Sequence, residues 1–223
     1  MMQEKIIKDI RKRCRMAMNG VASASMRGYG LNYKLNFGVS IQKIKEIASR
    51  YESDKDLAET LWLDGTRELK ILATLLYPTD QFSKETANEW GSQVPNQEIR
   101  EQVCVNLFQV LDFSDQIALE WINEEDENVR ATGYWLIVRL FLAKKFAGTI
   151  EIDTFQYIWK DIVSENVSLR NAAVLFLKNA GKFSPTLAEK ILEKVTIFKD
   201  SEDPLLKEIY DSLSFEFEFF YDN

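Results

Sequence analysis

Histidine is absent from this sequence. That removes the usual zinc ligand and the commonest general base in one stroke. Four prolines and nine glycines in 223 residues are poor material for a loop-rich β-sandwich and good material for helices. The two cysteines, Cys14 and Cys104, lie far apart without metal-ligand spacing, so both read as small core residues in a reducing, cytoplasmic setting. Neither a metal nor a cofactor is expected. G-x-G-x-x-G, P-loop and G-x-S-x-G motifs are all missing, and the serines have no histidine to activate them. The start, MMQEKIIKDIRKRC, is charged throughout and lacks the apolar region of a signal peptide. The most apolar run, Tyr134 to Phe146, is interrupted by Arg139, Lys144 and Lys145 and falls short of the ~20 residues that a membrane span needs.

What is present is a hydrophobic fraction of 46%, enough for a real core, and the whole of 1–223 reads as a single domain. The net charge of −7 conceals an asymmetry: residues 1–50 carry +8 and the remainder −15. Lys5, Lys8, Arg11, Lys12, Arg13 and Arg15 make residues 1–20 a basic amino-terminal helix. Lys12 and Arg13 are its candidates for phosphate contact, against the plainer alternative of a solvated terminal helix.

Apolar residues recur at helical spacing along most of the chain. Ile41, Ile44, Ile47 and Ala48 share one stripe, and Leu69, Leu72, Ala73 and Leu76 share another. Asn96 is placed to cap a helix over about 97–111, and Ser184-Pro185 opens another that follows Gly181, a candidate left-handed terminator. Further helices are expected over about 127–145, 152–164 and 203–213. The tail at 214–223, SFEFEFFYDN, alternates like a strand from Phe215 but has no partner strand.

Lys70, Arg100, Arg130 and Arg170 each open the more hydrophobic member of a helix pair, with Ala73, Val103, Gly133 and Ala173 three positions on. Helix pairs at roughly 30–45 residues predict an all-α solenoid of HEAT-like or ARM-like repeats, in which the small residue lets neighbouring helices approach. The four cations could line one groove as a phosphate ladder, or bond acidic side chains nearby, such as those of Glu124–Asn128. The tryptophans at 62, 90, 121, 135 and 159 sit on apolar stripes and read as packing residues.

NFGVSIQKIKEIA (36–48), ETLWLDGTRELKILATLLYP (59–78) and EWGSQVPNQEIREQVCVNLF (89–108) resemble the AlkD-like family of DNA alkylation repair enzymes. The resemblance runs from about residue 22 to about residue 181. It implies a HEAT-like solenoid that holds duplex DNA in a concave groove through backbone contacts. Active members excise positively charged alkylated purines without extruding the base. A cationic base is already a good leaving group, so a carboxylate can stabilise the developing sugar cation while aromatic faces meet the cationic nucleotide.

The family's central helix carries a tryptophan and, four residues on, an aspartate. Here those positions hold Gln97 and Glu101, which makes Glu101 the candidate catalytic residue and Gln97 its neighbour at the DNA. The family's backbone-binding arginine matches Arg130, and a second tryptophan falls on Leu175 or Phe176. Glutamine removes a cation–π contribution of about 0.5–2 kcal/mol. Glutamate moves the carboxylate by roughly one bond, which position-sensitive chemistry punishes, and Glu98 nearby would oppose a phosphate. The sequence therefore predicts a DNA-binding repair protein with weak or lost glycosylase activity. The alternative is a HEAT-repeat scaffold whose acidic surfaces engage a basic protein. Read on its own, Glu101 is equally a solvated charge bonded near Arg100 and Gln97.

Overall fold

The computed structural model describes residues 2–31 and 33–222. Among these residues the regular structure is helical, apart from one isolated parallel bridge between Leu35 and Thr66. The chain groups into two compact units, Met1–Ala87 with Val94–Asp112, and Asn88–Gln93 with Phe113–Asn223.

The first unit holds α1 (Met2–Met16), α2 (Gly20–Gly28), α3 (Ile41–Ala48), α4 (Lys55–Trp62), α5 (Arg67–Leu76), the start of α6 (Lys84–Ser92) and α7 (Gln97–Asn106). The expected basic helix over 1–20 thus ends at Met16, where a turn leads into α2. Helix α4 pairs with α5, and α5 packs against α3 on one side and α7 on the other. The stripes explain the order. Ile44, Ile47, Leu69, Leu72, Ala73, Ile99, Val103 and Cys104 are all buried. Polar caps set the starts, with Ser40, Asp54 and Asn96 accepting from the amides of Lys43, Leu57 and Ile99. Helix α7 stops at Asn106, and a 3-10 turn at Phe108–Val110 replaces its expected last turn.

One turn in this unit shows why its residues are as they are. Gly38 has φ +69°, and a Cβ there would lie 2.2 Å from the carbonyl oxygen of Asn19. The amides of Phe37 and Val39 on either side donate to the two oxygens of Glu68, each at 3.1 Å. Glu68 is fully buried and is also bonded by Arg67 at 2.9 Å. The Phe37–Ser40 turn is therefore fixed on α5 by a carboxylate.

The second unit contains the end of α6, then α8 (Ser114–Trp121), α9 (Glu127–Leu142), α10 (Ile158–Asp161), α11 (Val167–Ala180), α12 (Pro185–Val195) and α13 (Pro204–Asp222). Helix α8 pairs with α9, α9 packs on α11, and α13 lies against α11 and α12. Gly133 makes the α8–α9 approach possible: a Cβ there would come within 2.9 Å of the Ile122 amide nitrogen and of the Trp121 Cβ. The helix expected over 152–164 is instead a 3-10 turn at Ile152–Thr154 followed by the short α10.

The tail departs from its alternating pattern. Residues 214–222 continue α13, because Ile209, Leu213 and Phe217 recur every four residues and are buried, which is worth roughly 1.5–3 kcal/mol per side chain. Residue 223 lies outside the described residues. Gly181 is not a left-handed terminator either. Its φ is −61°, and its lack of a side chain admits the Phe217 ring, whose nearest atoms lie 2.3 Å from where a Cβ would sit. Tyr221 seals this contact by donating to the Gly181 carbonyl at 2.6 Å.

Candidate nucleic-acid interface

Helix α7 carries the candidate pair. With Ile99, Val103 and Cys104 facing the core, residues 97 and 101 fall on another edge of the helix, where both are half-buried. Gln97 Nε2 donates to Glu101 Oε1 at 3.1 Å, and Arg100 Nη1 donates to Gln97 Oε1 at 2.7 Å. The glutamine is thus oriented from both ends, its oxygen toward the arginine and its nitrogen toward the carboxylate. Arg100 is 3% exposed. Burial holds its guanidinium below the ordinary arginine value, opposed by the charges at Cys104 and Glu101.

On another edge of α7, Glu98 was expected to repel a phosphate. Its carboxylate is paired, although the cation it uses is shared with Glu68. Arg67 reaches it with Nε at 3.0 and 2.9 Å and Nη2 at 2.7 Å, and the Tyr33 hydroxyl donates to it at 2.6 Å. Burial alone would raise the Glu98 pKa, but the Arg67 and Tyr33 bonds overcome it and hold the carboxyl below its usual value. Sequence reading missed this cluster. Its signal was the Arg67-Glu68 dipeptide at the start of a helix, too short a string to betray two buried charges.

The expected cation ladder has a different geometry. Lys70 Nζ donates to the Trp62 carbonyl and lies 4.5 Å from the centre of that indole ring. Arg130 Nη1 donates to the carbonyls of Glu124 and Glu125 at 2.9 and 2.8 Å. Arg170 Nη1 donates to the Ser164 carbonyl at 2.6 Å. In each case the cation on the second helix bonds a main-chain carbonyl before that helix: the last residue of α4 for Lys70, and the turns after α8 and α10 for Arg130 and Arg170. At Lys70, Arg130 and Arg170 the basic residue of the repeat is therefore a staple to the main chain before its helix. Glu124 and Glu125 take part through their main chain, not their side chains.

Arg130, like Arg100, is enclosed. Its Nε and Nη2 form a two-pronged ion pair with Asp161 at 2.7 and 2.8 Å, and its guanidinium carbon stacks 4.4 Å from the Tyr157 ring centre. Arg130 is 2% exposed and Asp161 is 1% exposed. Phosphate contact through this side chain, as the resemblance implied, would require breaking that pair.

The basic helix α1 is more open. Lys12 is exposed, and Arg13 is half-buried with its Nε donating to Asp9 and Tyr51 at 2.8 and 3.0 Å. At the second tryptophan position, Leu175 is half-buried while Phe176 is wholly buried against Tyr134, Phe141 and Phe155. Trp62, Trp90 and Trp121 are buried as packing residues, whereas Trp135 and Trp159 are half-buried. Among the described residues, no three Cys, Asp or Glu side chains are grouped to hold a metal ion, and no helix is long and apolar enough to cross a membrane.

Residues 10–208 match the model of a family described as DNA alkylation repair enzyme. The chain belongs to that family. A solved structure shares its fold over 95% of this chain and 94% of that one, with a TM-score of 0.73 and 18% identity. That protein comes from a new family related to the HEAT-like repeat DNA glycosylases, with affinity for branched DNA structures. The likeness establishes the fold as HEAT-like helical repeats. No curated protein matches the chain.

Proposed function

We propose that this is a cytoplasmic DNA-binding protein of the alkylation repair family, in which excision of cationic alkylpurines is weak or lost. The observation that carries the reading is the α7 edge. The position that offers an aromatic face in the resembling family holds Gln97, whose amide is committed to Arg100 and Glu101. Glu101 keeps a negative charge at the neighbouring position but has no aromatic partner across one helical turn. A cationic base bound there would lose the cation–π contribution while keeping electrostatic attraction to the carboxylate. Binding through Lys12, Arg13 and neighbouring cations would be insensitive to sequence and steeply salt-dependent. The affinity of the structural relative for branched DNA makes a four-way junction the first probe to set beside linear duplex.

The test measures binding of both DNAs across ionic strength, and release of 7-methylguanine and 3-methyladenine with and without protein. Binding is expected, with release at the spontaneous rate. Release well above that background, abolished in Glu101→Gln, would make Glu101 catalytic. No binding to either DNA even at low ionic strength would end the DNA reading.

One observation favours a second reading. Phe215 and Phe219 on α13 are 69% and 63% exposed and stack with ring centres 6.2 Å apart. Asp211 and Glu218 are exposed on the same helix. That surface would suit a basic protein partner and a scaffolding role.

A further inference from the structure

A cavity of about 270 Å³ opens where α1 packs on α3. Arg13, Lys43, Glu46 and Arg50 line it, together with the exposed Met16, the half-buried Ala17 and the buried Ile47. Its lining includes neither Gln97 nor Glu101. The Arg13 side chain is held in place through Nε by Asp9 and Tyr51. Both anchors use one nitrogen, and no ion pair or hydrogen bond among the described residues engages its two terminal nitrogens. Arg50 is exposed, and no hydrogen bond or ion pair among the described residues holds its side chain. Lys43 is already paired with Glu46 at 2.6 Å.

We infer that this cavity is a binding site for a phosphodiester of a nucleic-acid strand, with Arg13 as the fixed donor and Arg50 as the mobile one. An arginine immobilised through Nε presents its outer edge as a ready fork for two phosphate oxygens, and less rotamer freedom is lost on binding. Charge selects the ligand. Arg13, Lys43 and Arg50 stand against Glu46 and the Asp9 behind Arg13, which leaves a balance of one positive charge. A net positive balance suits an anionic strand, each of whose diesters carries one charge. The apolar side chains of Met16, Ala17 and Ile47 give the sugar or base beside the phosphate a surface to cover. Lys12 and Arg15 on α1 and Lys45 on α3 are exposed and extend the positive field. This extends the DNA-binding reading but needs no contact at Gln97 or Glu101.

The test uses the full chain and methyl NMR of Met16, Ala17 and Ile47. The probe is hexathymidylate, compared with the same oligomer carrying neutral methylphosphonate links. Hexathymidylate is expected to shift the three methyl signals, and the neutral oligomer to leave them in place. Arg50→Glu, an exposed change that spares the fold, should abolish the shift, while Lys207→Glu on α13 should not. Unmoved methyls, equal shifts from both oligomers, or a shift that survives Arg50→Glu would each overturn the proposal. Linear duplex and junction binding are measured alongside. If neither binds while hexathymidylate still moves these methyls, the reading at α7 falls and the cavity stands. If both bind while the methyls stay still, the cavity falls and that reading stands.

Discussion

Arg130 on α9 and Asp161 at the end of α10 meet as a two-pronged pair at 2.7 and 2.8 Å, with the Tyr134 hydroxyl donating to the same carboxylate at 3.0 Å. Removing one partner would leave a buried charge uncompensated, which costs about 3–5 kcal/mol. Asp161→Ala is therefore expected to lower the unfolding free energy by that margin, read from denaturant titration. A joint Arg130→Met, Asp161→Leu change should restore much of it, since an apolar pair of similar volume is often neutral or stabilising. Weakened DNA binding in an Arg130 variant then has to be measured on protein shown to be folded. A folded Arg130→Gln protein should keep its salt slope, because the side chain is spent inside the fold; a slope flattened by one contact would show that the arginine reaches phosphate after all.

Two glycines mark close approaches, and they answer differently to substitution. Gly133→Ala drives a Cβ against the Ile122 main chain and the Trp121 Cβ, atoms that cannot move alone. A loss of about 1–3 kcal/mol is expected from overpacking. For Gly181→Ala the three nearest atoms all belong to the Phe217 ring. Its cost should shrink when Phe217→Leu is added, and the double-mutant cycle reports the coupling. Equal costs in both backgrounds would mean that Phe217 is not what requires glycine at 181.

Glu98 sets an acid dependence. Its folded pKa is depressed, so its contribution is present above the ordinary carboxylate value of about 4.3 and is lost as pH falls through the folded value. At neutral pH, Glu98→Gln should be less stable than wild type. The gap should narrow as pH drops below that ordinary value, because the wild-type carboxylate must then be protonated against Arg67. A gap that stays constant from neutral to acid would show that packing, not charge, holds this side chain.

Cys14 provides an independent check on the core. Burial pushes its thiol up to about 12, and the side chain has no exposed surface. Native protein at pH 8 should leave Cys14 unlabelled by a thiol reagent, and labelling should track global unfolding. Fast labelling of Cys14 in native buffer would mean that α1 opens locally, which the adjacent cavity would then share.

Much of this was legible in advance because the signals were local. Period and caps gave α3, α5, α7 and α11, and the triplet spacing of basic and small residues correctly marked the close helix approach at Gly133. Charge was where local reading failed. Lys70, Arg130 and Arg170 carry the same formal charge whether they face solvent or a main-chain carbonyl, and only the packing of one helix on its partner decides between these. The same holds for Glu98, whose partner arginine lies 31 positions earlier. The tail misled for another reason. Phenylalanine and glutamate alternate over 215–219, but the burial that matters has a period of four, and Phe215 and Phe219 are left exposed.

The α7 edge yields the sharpest prediction, because sequence and structure agree on the side-by-side placement of Gln97 and Glu101. Gln97→Trp would supply an aromatic face but remove the oxygen that Arg100 Nη1 bonds at 2.7 Å. A stability loss of about 1 kcal/mol is expected from that bond alone. Glu101→Asp shortens the carboxylate stem and breaks its link to Gln97. Neither change by itself should raise base release, since a cationic nucleotide needs the ring and the carboxylate at the same time. Together they should raise release of 7-methylguanine above the spontaneous rate, with a gain larger than the product of the single effects. The same variant with Glu101→Asn in place of aspartate separates charge from shape and should return release to background. If the double variant is folded, binds DNA as wild type does and still releases nothing, the missing chemistry lies outside α7, and position 101 is a binding residue only.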